Sequence, residues 1–244
     1  MKRYLSIFEM IIRCSIYKVL GILGIMIALE AGLLAFAWNK PIAIFQPNLE
    51  EWIERSWICI PFLFAYWGVT KVLSSSGTNV GSMQAYTLQR LRVPEKRVNL
   101  LQCIYNIFCY ILLWMTQVLI FFVASDVYMK YKTGAILTNQ TVFLAFYRNT
   151  FMHSILPMED IFGWSTLVFF ICMTGILATR FSQRQRHGKV EWSLILFLAL
   201  AVIVFQRKLG TEPILLLMQM TGWVLYLVLV GLLNKGGLRD EREE

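Results

Sequence analysis

The chain has 244 residues, is 57% hydrophobic, has a mean hydropathy of +0.59 and is 16% charged, against about 25% charged in a soluble domain. Several apolar runs longer than about 18 residues exclude an ordinary water-soluble globule and indicate membrane-crossing helices. The net charge of +8 clusters at the ends of those runs, so it speaks for membrane orientation and against nucleic-acid binding.

The fold class expected is all-α: a polytopic membrane protein with six transmembrane helices, an N-terminal interfacial helix and a cytoplasmic helix between spans two and three. Residues 1–18 form the first element. Tyr4, Ile7, Phe8, Ile11 and Ile12 share one helical face, while Lys2, Arg3, Glu9 and Arg13 take other positions. Such a helix lies in the headgroup region of a membrane and contacts lipid. The six-helix transmembrane domain then covers 19–233.

Its first span is placed at about 19–38. Ala35-Phe36-Ala37 imitates a leader-peptidase site, but the basic lead is too long and contains Glu9, so the segment reads as a span. Glu30 falls inside it, and an acid at membrane depth is a candidate functional group. Two other readings stand beside a transport role: a place near the outer interface, or a neutral, hydrogen-bonded carboxyl.

An external loop at 39–56 precedes the second span, at about 57–73. Glu50, Glu51 and Arg55 in this loop match the EExxxR spacing of CPBP-type intramembrane proteases. Those enzymes also need histidines on neighbouring spans. Here there are only His153 and His187, neither in the expected setting, so the match reads as chance.

The segment 81–99, GSMQAYTLQRLRVPEKRVN, is the focus of the chain. It reads as a short helix, a break and a second helix start. Ser82 suits an N-cap, Met83, Tyr86, Leu88 and Leu91 supply apolar contacts, and Arg90, Arg92, Lys96 and Arg97 make it basic. Pro94 belongs in the first turn of the second helix, where Glu95 favours the helix dipole. The third span follows at about 100–124. Asn106 and Gln117 inside it read as interhelical hydrogen-bonding groups.

Residues 125–160 form an external segment. Phe143, Phe146, Tyr147, Phe151 and Ile155 fall at helical spacing, so one helix is expected there, on the membrane or over the bundle, ending at Pro157. His153, Glu159 and Asp160 lack metal-ligand spacing. The fourth span is placed at about 162–179 and ends in a basic turn, RFSQRQRHGK. The fifth runs over about 192–205 and the sixth over about 214–233, before a polar cytoplasmic tail at 234–244.

With both termini inside, about 16 of the 23 Lys and Arg residues fall on the cytoplasmic side, the positive-inside bias that sets orientation. The five cysteines, Cys14, Cys59, Cys103, Cys109 and Cys172, include no CxxC pair and read as buried apolar thiols. No phosphate-loop, GxSxG, HExxH or dinucleotide motif occurs. No catalytic or metal site is expected, and the bundle has no visible energy source of its own.

This layout resembles an ABC-2-type permease, the small bacterial six-span subunit whose ATPase is a separate chain. The likeness rests on Tyr86-Thr87-Leu88-Gln89-Arg90-Leu91 and Pro94-Glu95-Lys96-Arg97, which look like that family's coupling helix. The resemblance implies a plasma-membrane exporter with both termini cytoplasmic. It implies an ABC ATPase subunit and a second permease chain as partners, with ATP and Mg on the ATPase and no cofactor here. Met83, Tyr86, Leu88 and Leu91 would then be apolar anchors for the ATPase, and Arg90 and Arg92 the charged rim. The long external segment lies between spans three and four, where many members have theirs between five and six. The competing reading is an ATP-independent carrier, channel or membrane assembly factor, in which Glu30 matters most.

Overall fold

The computed structural model describes residues 2–39, 48–75, 95–131, 139–158 and 161–186, with Leu194, Ile195, Leu198, Ala199, Val202 and Phe205 beyond them. The regular structure there is helical: α1 (Lys2–Asn39), α2 (Leu49–Arg55), α3 (Cys59–Ser74), α4 (Glu95–Tyr131), α5 (Asn139–Arg148), α6 (Thr150–Ile155) and α7 (Ile161–Arg186). Three of these are long and apolar enough to cross a membrane, over Phe8–Trp38, Arg97–Lys130 and Gly163–Gln185. The α2–α3 pair, bent by 55°, meets the same criterion as one broken span. Over the described residues the chain is all-helical, and its long apolar helices are those of a membrane protein. Of the expected fifth span only the six residues named are described, all helical, with Leu194 and Phe205 buried. The sixth span, residues 76–94 and the tail lie outside the described residues.

Several boundaries differ from expectation. Residues 2–18 are not a separate element: α1 runs through without a break. It contains no proline, and Pro41 follows two residues after its end. At about 1.5 Å per residue, its 38 residues extend well past a hydrocarbon layer about 30 Å thick. The apolar stripe of its first turns packs inward, with Phe8, Ile11 and Ile12 against the core and Phe8 edge-on to Tyr105. Likewise α4 is 37 residues long, extending past both ends of the expected third span. No glycine or proline interrupts it. The fourth span continues to Arg186, so Arg180 and Arg184 stand on a helix and not in a turn.

The external loop at 39–56 contains α2, which buries Leu49, Trp52 and Ile53. Trp57 takes a positive φ of 55° at the corner between α2 and α3, a conformation that costs a bulky residue about 1–2 kcal/mol. Pro61 is tolerated in the first turn of α3, where its missing N–H has no intrahelical partner to lose. The single helix expected around residues 143–155 is two. The break falls at Asn149, whose Oδ1 accepts hydrogen bonds from the N–H groups of Phe151 (3.1 Å) and Met152 (3.0 Å), capping α6.

Side-chain pairings set the directions of the helices. Ser15, Glu30 and Trp38 of α1 meet Tyr105, Gln117 and Tyr128 of α4 in the same order, so the two run parallel. Gln102 and Asn106 meet Ser182 and Thr179, so α7 runs antiparallel to α4. Trp52 meets Leu34 while Gly68 meets Ile22, so the α2–α3 arm descends beside α1. The α4–α7 interface is the most extensive, and Gly175 makes it possible. A Cβ there would stand 2.6 Å from Ile107 Cγ1 and 3.1 Å from the Ile107 nitrogen. Small residues at such crossings let membrane helices approach closely. Outward faces carry large apolar side chains, among them Ile25, Phe64, Phe108, Leu119 and Val168, each more than half exposed, as lipid contact requires.

Candidate functional site

The described polar chemistry of the membrane core lies along α4. Gln102, Asn106, Tyr110 and Gln117 are all buried and project from one side of the helix, because steps of three and four residues return to the same face. Each finds a partner on another helix. Gln102 Nε2 donates to Ser182 Oγ at 3.3 Å, and Asn106 Nδ2 to Thr179 Oγ1 at 3.0 Å. The Tyr110 hydroxyl lies 2.7 Å from Thr70 Oγ1 on α3. Flanking this stripe, the Tyr105 hydroxyl accepts from Ser15 Oγ on α1 at 2.9 Å, and Trp114 Nε1 donates to the Ile155 carbonyl at 2.8 Å. One helix is thereby tied to α1, α3, α6 and α7.

A recurring local device builds these links. The Thr70 hydroxyl donates to its own helix at Tyr66 O (2.7 Å), and the Thr179 hydroxyl to Gly175 O (2.8 Å). A hydroxyl has one hydrogen and two lone pairs. Its hydrogen is satisfied within the helix, and a lone pair is left for a donor across the interface. Tyr110 is therefore the donor to Thr70.

Glu30 and Gln117 form the deepest pair, both fully buried. Gln117 Nε2 donates to Glu30 Oε2 at 3.0 Å. The other two oxygens, Glu30 Oε1 and Gln117 Oε1, have no hydrogen-bond donor among the described residues. Beyond the pair, an apolar groove of about 580 Å³ opens between α1 and α4, lined by Ile27, Leu34, Trp38, Trp52, Val123 and Val127 among others. It offers almost no polar surface and so suits hydrocarbon, not a polar ligand.

The two ends of the bundle differ in charge. One end gathers the start of α1, the end of α3, the start of α4 and the end of α7, with Arg13, Lys18, Lys71, Arg97, Arg180 and Arg184 against Glu9, which pairs with Arg13. The other holds Glu50, Glu51, Glu54 and Asp126 alongside Arg55, Lys130 and Arg148, and a cluster of Trp38, Trp52 and Tyr128 with ring centres 5.5–6.2 Å apart. Aromatic side chains of this kind favour a membrane–water interface.

Other sequence candidates fall into place or outside. Met83, Tyr86, Leu88, Arg90, Leu91 and Arg92 lie outside the described residues. So do His187, Glu159 and Asp160. Glu50 and Glu51 stand on helix α2, not in a loop: Glu50 faces Arg148 at 3.7 Å, and its carbonyl accepts from Asn149 Nδ2 at 3.3 Å. His153 is buried on α6 against Tyr147. Among the described residues no cluster of His, Cys, Asp or Glu could hold a metal ion. Gln102, Tyr105, Tyr110, Thr70, Thr179 and Ser182 are the polar groups that sequence reading passes over. The four-residue spacing of Gln102, Asn106 and Tyr110 is the signal that could have found them.

No protein family, curated protein or solved structure matches this chain.

Proposed function

We propose that the chain is the membrane-spanning subunit of an ATP-driven exporter of the ABC-2 type, with ATP hydrolysed on a separate subunit. The observation that carries this reading is α4. Its described part begins at Glu95, inside the basic segment 81–99, and continues unbroken to Tyr131 while bonded to α1, α3, α6 and α7. A force applied near residues 81–94 would reach the middle of the bundle through one rigid element. Closure of an ATPase dimer would then tilt the helices of two facing permease chains between inward-open and outward-open states, a population shift driven by nucleotide. Tyr86, Leu88 and Leu91 serve as apolar anchors in this scheme, and Arg90 and Arg92 as orienting charge.

The test is affinity purification of the tagged chain in mild detergent, with mass spectrometry of its companions. A stoichiometric ATPase bearing GxxxxGK[ST] is expected, and it should be lost on Leu91→Asp while the chain still inserts. A preparation without an ATPase would overturn the proposal. A second reading, an ATP-independent carrier, channel or assembly factor, has one observation in its favour: the buried Glu30.

A further inference from the structure

The oxygens left over at the α1–α4 seam belong to one pair of side chains. Glu30 and Gln117 are each 0% exposed. One bond joins them, from Gln117 Nε2 to Glu30 Oε2 at 3.0 Å, and among the described residues Glu30 Oε1 and Gln117 Oε1 remain without a donor. Buried acceptors of this kind are costly unless satisfied, and a buried carboxylate with one neutral donor is costlier still. A single hydrogen resolves both deficits. Placed on Glu30 Oε1, it can be donated to Gln117 Oε1, closing a ring of two hydrogen bonds between a carboxylic acid and an amide. We infer that Glu30 is a proton-binding site in the membrane core, its proton shared with Gln117 as a two-bond latch between α1 and α4.

The surroundings leave the proton as the ligand of choice. Among the described residues, Gln117 is the one that hydrogen-bonds this carboxyl. On neighbouring elements Glu50 faces Arg148, Asp126 holds Lys130, Lys71 lies over Trp67 and Tyr110 bonds Thr70, while the Tyr66 hydroxyl of α3 is buried without a partner among the described residues. Glu51 and Arg55 of α2 are exposed. A metal ion would need several oxygen ligands, and the pair offers two free ones. On release the Glu30 carboxylic acid becomes a carboxylate and its proton passes to water. One of the two bonds is lost and an uncompensated charge appears in the seam. That weakens the hold of α1 on α4, whichever transport reading applies.

Infrared spectroscopy of the full-length protein in lipid nanodiscs tests this directly. At neutral pH the difference between wild type and Glu30→Gln should contain the carbonyl band of a protonated carboxylic acid. Gln117→Leu should shift that band by removing its bonding partner, which keeps the test valid if Glu30→Gln does not insert. Raising the pH should convert the band to carboxylate signal. Thermal stability of the wild type should fall as the pH rises from the ordinary carboxyl range towards the range in which the band converts, and level off there, because the folded state keeps a proton that the unfolded chain has already given up. Glu30→Gln, which can form an amide–amide ring, should show no such fall. Carboxylate signal from Glu30 at neutral pH, or no response of the acid band to Gln117→Leu, would overturn the assignment.

Discussion

At the scale of the residue, the membrane core is specified by hydroxyls and amides in pairs. Tyr110 shows how little each link weighs alone. Its hydroxyl donates to Thr70 across the α3–α4 interface, but Thr70 keeps its bond to Tyr66 O if Tyr110 is changed. No buried donor is orphaned by Tyr110→Phe. The expected loss is about 0.6 kcal/mol, the average for a hydrogen bond between membrane helices. Unfolding of the purified protein in a denaturing detergent would measure it, and a loss several times larger would mean that Tyr110 has a further partner. Asn106 and Gln117 are recognisable in the sequence as bond-forming groups because amides are rare in such apolar surroundings. Thr179 and Glu30 as their partners are not recognisable, since 73 and 87 residues separate the pairs.

At the scale of the element, the α4–α7 crossing depends on one missing side chain. Gly175 admits the backbone of α4 at Ile107. A methyl group there meets a methylene one bond from the Ile107 branch point and a main-chain nitrogen, neither of which can swing away as the end of a long flexible side chain could. Gly175→Ala should therefore destabilise the fold by about 1–3 kcal/mol, the usual cost of overpacking. The same measurement on Gly32→Ala, at a position with no neighbour within 4 Å, should show no such loss. Equal effects at the two positions would refute the crossing. From the sequence alone, Gly175 is one glycine among 15. The helix itself was legible in its hydropathy. Its closeness to α4 was not, because backbone separation depends on which faces meet.

At the scale of the whole molecule, α4 ties a basic end to an aromatic and acidic one. If it crosses the membrane, Arg97 and Lys130 lie on opposite sides, and the expectation from the positive-inside rule is Arg97 on the cytoplasmic side. In a cysteine-free background, Arg97→Cys should react with an impermeant maleimide in inside-out vesicles and be protected in intact cells. Lys130→Cys should show the reverse. Labelling of both from one face would show that α4 does not span, and a reversal of both would invert the orientation. The placement of α5 and α6 beside the aromatic end follows from the same arrangement: Trp114 holds the Ile155 carbonyl, and Asn149 holds the Glu50 carbonyl.

Local properties of the chain were sufficient for much of this. Apolar length, scarcity of charge and the distribution of Lys and Arg determined an all-helical membrane protein with basic and non-basic ends, because hydropathy and helical period are summed over neighbouring residues. The ends of the helices were less legible. Residues 2–18 and 180–186 are polar enough to read as separate, yet helices without proline continue into water when side chains such as Phe8 find packing partners. The two helices around Asn149 share one periodic pattern in the sequence, and only the cap geometry divides them. The rest was decided by tertiary structure. The meeting of Glu30 with Gln117, the fit of Ile107 over Gly175 and the enclosure of Met152 all depend on rotations and separations between helices distant in sequence. Those are set by the packing of the bundle as a whole, to within an ångström or so, and no local pattern carries them.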